Sequence, residues 1–175
     1  MQSRYVILDA NVVIDAHRLG FWTALVTQYR ISVTETILNE VQFYEDDTGE
    51  KHEIDLRASA QKGAIDVLGA SAEEFEAVQS KITLEFAKSV DPGEMEAIAV
   101  LASGRCEEHR FCTADAVAIK LLAVLNLGAY GVPVKKLLEP IGYRKEVPRQ
   151  YGEKYFNAKL AEGLIEKKIA LRNKP

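Results

Sequence analysis

Short apolar runs that end at polar residues alternate along the chain with longer segments of helical periodicity. Residues 5–8 are rich in β-formers and stop at Asp9, and further short runs occupy residues 31–33, 65–68 and 110–112. Such runs are typical of buried parallel strands. Between them, apolar residues recur at the spacing of amphipathic helices. This alternation predicts an α/β fold with a mainly parallel sheet.

Capping signals locate several of the predicted helices. Ser71 is followed three residues later by Glu74, a capping-box pattern that predicts a helix through about Ala87. Asp91 precedes a proline, which favours another helix start at that point. A largely apolar segment over residues 116–125 predicts a further helix.

The remaining patterns predict one core domain with an arm and a C-terminal extension. A turn signal at residues 46–49 lies in an alternating segment and predicts a β-hairpin arm over about residues 43–56. A chain of 175 residues usually forms one domain. We therefore expect a parallel-sheet α/β/α sandwich over residues 1–143 and a basic helical extension over residues 144–175. The predicted apolar positions of the extension are Tyr155, Leu160, Leu164, Ile165 and Ile169.

The charge of the chain is unevenly distributed. The formal net charge of −4 argues against a protein that coats nucleic acid through bulk charge. However, residues 144–175 carry nine Lys and Arg against four acids, whereas residues 1–143 carry 13 basic and 22 acidic groups. The basic tail is a candidate contact for an anionic partner, together with Arg4, Arg18 and Lys120. A solvated amphipathic helix is the simpler alternative.

The sequence contains no targeting or membrane signal that we recognise. The apolar run before Asp9 is only four residues long, so no signal peptide is expected. No apolar run reaches the roughly 20 residues that a membrane-spanning helix needs. Cys106 and Cys112 are too few for a disulfide framework and match no common zinc spacing, so we expect reduced thiols. These features predict a cytoplasmic protein without membrane association.

Acidic residues fall where the strands of a parallel sheet would end. Asp9 directly follows the first strand, and Asp115 lies just after the run at residues 110–112. Glu94 opens a predicted helix, and Glu40 lies one to two turns into another. Because strand ends and the following helix starts line one crevice of an open parallel sheet, we expect these acids to converge.

Converging carboxylates raise one another's pKa unless a cation lies between them. Oxygen ligands favour Mg²⁺ or Mn²⁺ over zinc, and such an ion supports phosphodiester hydrolysis by activating water and neutralising phosphate charge. Each acid also has a local alternative. Asp9 would start the loop before a helix cap at Asn11, and Glu40 would be a solvated helix residue. Asp91 and Glu94 would form a helix cap, and Asp115 would interact favourably with the dipole of the helix that it precedes.

Four short motifs resemble those of PIN-domain proteins, a fold of metal-dependent ribonucleases that includes the toxins of many prokaryotic toxin–antitoxin pairs. The motifs appear in the family's order and span roughly residues 4–138. They are Leu-Asp-Ala-Asn-Val at 8–12, Thr-Glu-Thr-Ile-Leu-Asn-Glu-Val at 34–41, Asp-Pro-Gly-Glu-Met-Glu-Ala-Ile-Ala at 91–99 and Thr-Ala-Asp at 113–115.

The resemblance implies an acidic cluster that binds metal and carries the catalysis. Asn11 matches the residue that orients the first aspartate, and Thr113 matches the hydroxyl beside the last one. Glu96 is an auxiliary acid in this comparison, and the sequence alone does not decide whether Glu94 or Glu96 takes the third acidic position. Many family members carry one more acid after the last motif, where residues 116–118 have none. The implied metal ligands and catalytic residues are Asp9, Glu40, Glu94 and Asp115.

These features predict a Mg²⁺- or Mn²⁺-dependent endoribonuclease that acts on RNA. The resemblance adds a toxin role with a small antitoxin protein as partner. One alternative is a catalytically weak or inert PIN-like scaffold that binds RNA or protein. Another is a phosphoryl-accepting domain with Asp9 as nucleophile, although Asn11 stands where such domains usually have a second acid. The helical face of Trp22, Leu25 and Val26 predicts either a homodimer interface or core packing.

Overall fold

A five-stranded parallel sheet forms the middle layer of the protein. The computed structural model describes residues 4–172. The sheet has the order β5-β2-β1-β6-β7, and every pairing within it is parallel. Strands β3 and β4 pair antiparallel in a separate hairpin. The strands are β1 (Tyr5–Leu8), β2 (Arg30–Thr34), β3 (Phe43–Glu45), β4 (Lys51–Glu53), β5 (Ile65–Leu68), β6 (His109–Cys112) and β7 (Gly131–Val132).

Helices cover both faces of the sheet, which confirms the predicted α/β class and sandwich architecture. Short 3₁₀ turns lie at Gly128–Tyr130 and Arg149–Tyr151. The helices are α1 (Ala10–Arg18), α2 (Trp22–Gln28), α3 (Glu35–Glu40), α4 (Leu56–Gln61), α5 (Ala72–Gln79), α6 (Leu84–Ser89), α7 (Pro92–Ala102), α8 (Ala116–Val124), α9 (Val134–Leu138) and α10 (Glu153–Arg172).

The alternation of side chains along the strands divides the core into two parts. Val6 and Leu8 of β1 pack into one apolar cluster with α1, α2, α3 and α9, whereas Ile7 packs into the other with α7 and α8. In β6, Cys112 packs into the same cluster as Val6, and Phe111 packs into the same cluster as Ile7. Successive residues of a strand point to opposite faces, so each short strand serves both cores.

Two predicted elements differ from the structure. The helix expected from Ser71 through about Ala87 is two helices, because α5 ends at Gln79 and Thr83 caps α6 by accepting a hydrogen bond from the Phe86 amide at 3.3 Å. The capping box itself is present, with Ser71 and Glu74 bonded reciprocally. Strand β7 was not expected, since its two residues lie in a turn-rich segment, yet they pair with β6.

The C-terminal extension is a helix that packs along α8, as part of the same body. Phe156 is buried. Of the predicted apolar face, Tyr155 and Leu160 are half-buried, whereas Leu164, Ile165 and Ile169 are exposed. The predicted tail cation Lys174 lies outside the described residues.

The face of Trp22, Leu25 and Val26 contributes to the protein's own core. Leu25 is buried, and the other two side chains pack against the same apolar cluster. The indole of Trp22 also stacks on His17, with ring centroids 4.5 Å apart. Core packing therefore accounts for this face.

Two further observations concern the hydrophobicity of the helices and the state of the cysteines. Within residues 4–172, none of the helices combines the length and hydrophobicity that a membrane crossing requires. Cys106 and Cys112 are both buried and free, as expected.

The contact between α10 and α8 depends on the missing side chain of Gly163. A Cβ atom there would overlap the carbonyl oxygen of Lys120 and lie 2.8 Å from its Cα. We expect Gly163→Ala to lower the free energy of unfolding by about 1–3 kcal/mol, because the backbone of α8 cannot move away without losing packing. Urea denaturation followed by circular dichroism measures this loss.

A matched control is Gly128→Ala, whose new Cβ would lie 3.4 Å from the flexible end of Leu160. This variant should unfold within about 0.5 kcal/mol of the wild type. Equal stability of Gly163→Ala and Gly128→Ala would contradict the proposed close approach of the two helices.

Candidate metal centre

The predicted acids lie near the carboxyl ends of two neighbouring strands from which the chain continues in opposite directions across the sheet. Strands β1 and β6 are neighbours, and the chain leaves β1 towards β2 on one side and β6 towards β7 on the other. The Asp9 amide donates to the Cys112 carbonyl at 3.0 Å, so the two strand ends are held level. Parallel sheets form a crevice at such a switch point, outside the carboxyl ends of the strands.

Thr113 lies at the centre of the acidic cluster. Its Oγ1 is 3.1 Å from Asp9 Oδ2 and 3.1 Å from Glu94 Oε1. The same oxygen accepts a hydrogen bond from the Asp115 amide at 3.0 Å. Thr113 is fully buried, and Asp9 and Glu94 are each 3% exposed. One hydroxyl therefore links three of the four predicted acidic residues.

Counting protons at Thr113 constrains the charges of its neighbours. A threonine hydroxyl has one proton to donate and two lone pairs that accept. The Asp115 amide uses one lone pair, so the hydroxyl can donate to Asp9 and accept from Glu94 only when Glu94 carries a proton. Without a cation, the arrangement is fully satisfied with one carboxylate and one carboxylic acid.

Burial raises the pKa of both carboxyl groups, and much further for Glu94 than for Asp9, which assigns the proton to Glu94. Loss of water contact, together with the charges of Asp9, Asp115 and Asp91, raises the pKa of Glu94 to about 9. Burial also raises the pKa of Asp9 to about 6, although Thr113 and nearby backbone amides oppose the shift. At neutral pH, Glu94 is therefore protonated and Asp9 is ionised.

Asp115 has two roles at the start of α8. Its Oδ1 accepts hydrogen bonds from the Val117 amide at 2.7 Å and the Ala118 amide at 2.9 Å, which is a regular helix cap. Its charge also raises the pKa of Asp9 and Glu94. The cap fixes the carboxylate beside the centre, so the local and the functional interpretation of this residue are compatible.

Glu40 borders the centre at the last position of α3. Its Oε2 would lie 3.5 Å from a Cβ on Gly93, the residue before Glu94. Burial raises the pKa of Glu40, and the charges of Asp91 and Glu96 raise it further. Glu40 is exposed and lies beside Gly93, so the structure places it at the junction of α3 and α7, apart from the buried carboxyl groups on Thr113.

The side chain of Glu96 has different hydrogen-bond partners from that of Glu94. One of its oxygens accepts a hydrogen bond from the Thr36 amide at 2.9 Å, and the other accepts one from the Ala70 amide at 3.2 Å. These bonds join α7 to the first turn of α3 and to the loop after β5. Glu96 therefore has a structural role, and Glu94 is the acid that reaches Thr113.

The start of α7 is shaped to bring Glu94 inward. A Cβ on Gly93 would lie 2.7 Å from Ile37 Cγ1, so only glycine lets α7 approach α3 this closely. Asp91 forms no side-chain cap on α7, contrary to the helix-cap alternative for this motif. Its charge acts on Glu40 and Glu94 instead, a contribution that sequence reasoning missed because the residue matched a capping pattern.

Asn11 lies in the first turn of α1 and its side chain is exposed. Its backbone amide, with that of Ala10, lowers the pKa of Asp9. Neither amide forms a regular side-chain cap with Asp9. The supporting role predicted for Asn11 thus falls at least in part to its backbone.

A second acidic group lies in the hairpin. Asp46, Glu50 and His52 form the one described set of three acidic or histidine side chains whose ligand atoms all lie within 4.8 Å of one another. Asp46 Oδ1 already accepts hydrogen bonds from the Thr48 hydroxyl at 2.6 Å and from the Glu50 amide at 3.0 Å. The other oxygen, Oδ2, lies 2.8 Å from His52 Nε2. These bonds close the β3–β4 turn, so this set has a structural explanation.

The donor chemistry of the Thr113 cluster fits a hard divalent cation. Its side-chain donors are oxygen atoms, and its two buried carboxyl groups repel each other when both are ionised. Asp9, Glu94 and Asp115 are spread more widely than the hairpin set. No family model matches the chain, and no curated protein matches it either. The PIN-domain resemblance therefore rests on the four motifs.

The raised pKa of Glu94 predicts how stability depends on pH in the presence of EDTA. The pKa rises from 4.5 to about 9 on folding, so the folded chain binds the proton more tightly. The resulting stabilisation is complete below about pH 4.5 and is lost as the pH rises towards 9. Between about pH 6.5 and 9, we expect the Tm of the wild type to fall more steeply than that of Glu94→Gln.

Glu76→Gln provides the matched control, since Glu76 is exposed on α5. Differential scanning calorimetry should give this variant the wild-type slope of Tm against pH. Parallel slopes for the wild type and Glu94→Gln would show that Glu94 does not hold a proton in the folded state.

Proposed function

We propose that this protein is a Mg²⁺- or Mn²⁺-dependent endoribonuclease whose metal ligands are Asp9, Glu94, Asp115 and Glu40. The observation that carries the proposal is the buried pair of Asp9 and Glu94 on one Thr113 hydroxyl. Such a pair holds surplus negative charge that a divalent cation would offset. When bound, the ion would activate a water molecule and neutralise charge on the scissile phosphate.

The residues around the cation have distinct tasks in this proposal. Thr113 orients Asp9 and Glu94 towards each other, and it holds the Asp115 backbone at the same point. Glu40 supplies a further carboxylate from the α3 side of the crevice. Glu96 keeps α7 in register with α3 and does not touch the substrate.

RNA enters the proposal through the resemblance to PIN-domain ribonucleases, and so does the toxin role with a small antitoxin partner. A reading frame for a small protein beside the gene would support the toxin role. The alternative of an inert PIN-like scaffold predicts the same fold but no metal-dependent cleavage. The two are therefore separated by an activity measurement with matched variants.

We expect the wild type to cleave a 5′-labelled single-stranded RNA in the presence of Mn²⁺ and to lose this activity in EDTA. Asp9→Asn and Glu94→Gln should each lower the cleavage rate by at least about 100-fold, since each removes a charge that would fix the cation and the transition state. Gel analysis of cleavage under single-turnover conditions measures these rates.

Glu76→Gln is the control for the same carboxylate-to-amide exchange outside the centre, and it should cleave within about twofold of the wild type. Asp46→Asn should also remain active if the hairpin set has only its structural role. The proposal fails if the wild type cleaves no RNA with Mn²⁺, or if Asp9→Asn, purified in the same way, cleaves as fast as the wild type.

A further inference from the structure

A groove of about 760 Å³ leads away from the candidate metal centre along the C-terminal extension. One end is formed by residues 114–116, including Asp115, whose amide is bound by Thr113. The facing wall consists of the 3₁₀ turn Arg149–Tyr151 and the first turns of α10. A linear molecule in this groove would therefore reach the metal centre at one end.

The groove has the charge that an anionic strand requires. Arg149, Lys154 and Lys159 line it, and the first two are exposed. Glu162 also lines the groove, but its carboxylate accepts a hydrogen bond from Lys159 at 2.7 Å and lies 3.3 Å from Lys120 Nζ. Because two cations offset Glu162, the wall beyond the metal centre is net positive.

The other cations considered as phosphate contacts are placed differently. Lys120 is held by Glu166 at 2.8 Å and by Glu162. Arg18 is paired with Asp15 at 2.7 Å. Arg4 precedes β1 and so lies at the amino end of the strand, across the sheet from Asp9. The cations of the groove are thus the ones that share a cavity with Asp115.

An aromatic side chain lies among these cations. Tyr155 lines the groove and is half-buried, and Lys159 Nζ lies 5.6 Å from its ring centroid. An aromatic ring inside a basic groove is the usual platform on which an unpaired base stacks. Bases in a duplex are already stacked, so this platform favours a single strand.

We propose that this groove binds a single-stranded segment of RNA, with phosphates on Arg149 and Lys154 and one base on Tyr155. From Lys154 to Glu162, α10 rises about 12 Å, which spans about three stacked nucleotides. The choice of RNA rests on the proposed function. The binding itself needs no metal, so it can be measured where cleavage is blocked.

The test is fluorescence anisotropy of a labelled oligouridylate of about 12 nucleotides, with the full chain in EDTA. Lys154→Ala combined with Arg149→Ala should raise Kd by about 20-fold at about 0.1 M salt and lower the salt slope by about 1.4, because each phosphate contact contributes about 0.7. Tyr155→Ala should raise Kd by about tenfold, whereas Tyr155→Phe, which keeps the ring, should bind as the wild type does.

Lys167→Ala combined with Lys168→Ala is the matched control, since it removes two charges from the same helix outside the groove. Its Kd should stay within about twofold of the wild type. Equal losses in the two double variants would overturn the inference, as would a wild type that does not bind the oligouridylate. Tighter binding of an oligodeoxythymidylate of equal length would overturn the assignment to RNA.

Failure of the groove and failure of the proposed function give different results. A chain that binds RNA through the groove but never cleaves it with Mn²⁺ supports the inference and contradicts the nuclease proposal. A chain that cleaves RNA, and whose groove variants keep the wild-type Kd, contradicts the inference alone.

Discussion

Two carboxyl groups buried against one hydroxyl are the constraint on which the site depends. Asp9 and Glu94 are almost fully excluded from water, and both lie 3.1 Å from Thr113 Oγ1. Two ionised carboxylates in this position would be destabilising, because the single hydroxyl proton of Thr113 cannot compensate the burial of both and their mutual repulsion. A proton on Glu94 removes the conflict, and a divalent cation would do so as well. Under the proposed function, the cation would therefore replace the proton on Glu94.

The sheet topology and one close helix contact produce this arrangement. The adjacent ends of β1 and β6 bring Asp9 beside Thr113, because the chain leaves the two strands in opposite directions. Glu94 comes from another element, and its position depends on the contact of Gly93 with Ile37. Glu96 reinforces that contact through backbone amides on α3 and after β5. The stability of the fold and the geometry of the site are thus linked at the start of α7.

Much of the fold and part of the site follow from the sequence for identifiable reasons. Three of the four longer strands of the sheet are followed directly by a polar residue (Asp9, Glu35 and Thr113), whereas two-residue β7 is hidden in a turn segment. Asp9 directly follows β1 and Asp115 lies three residues after the end of β6, so a parallel sheet alone brings them to the same edge. Glu94 and Glu96 share one helix, and only the packing of α7 against α3 decides which one faces Thr113. The basic excess of the extension is visible in the sequence, but its position beside Asp115 depends on how α10 packs on α8.

The most direct measurement of the central claim is the number of protons released when Mn²⁺ binds. Isothermal titration calorimetry at about pH 7.5, in two buffers of different ionisation enthalpy, gives this number. The account predicts the release of about one proton by the wild type, since Glu94 with a pKa of about 9 must ionise to bind the cation. It also predicts that Glu94→Gln loses the release. Binding without proton release, or the same release from Glu94→Gln, would contradict the account.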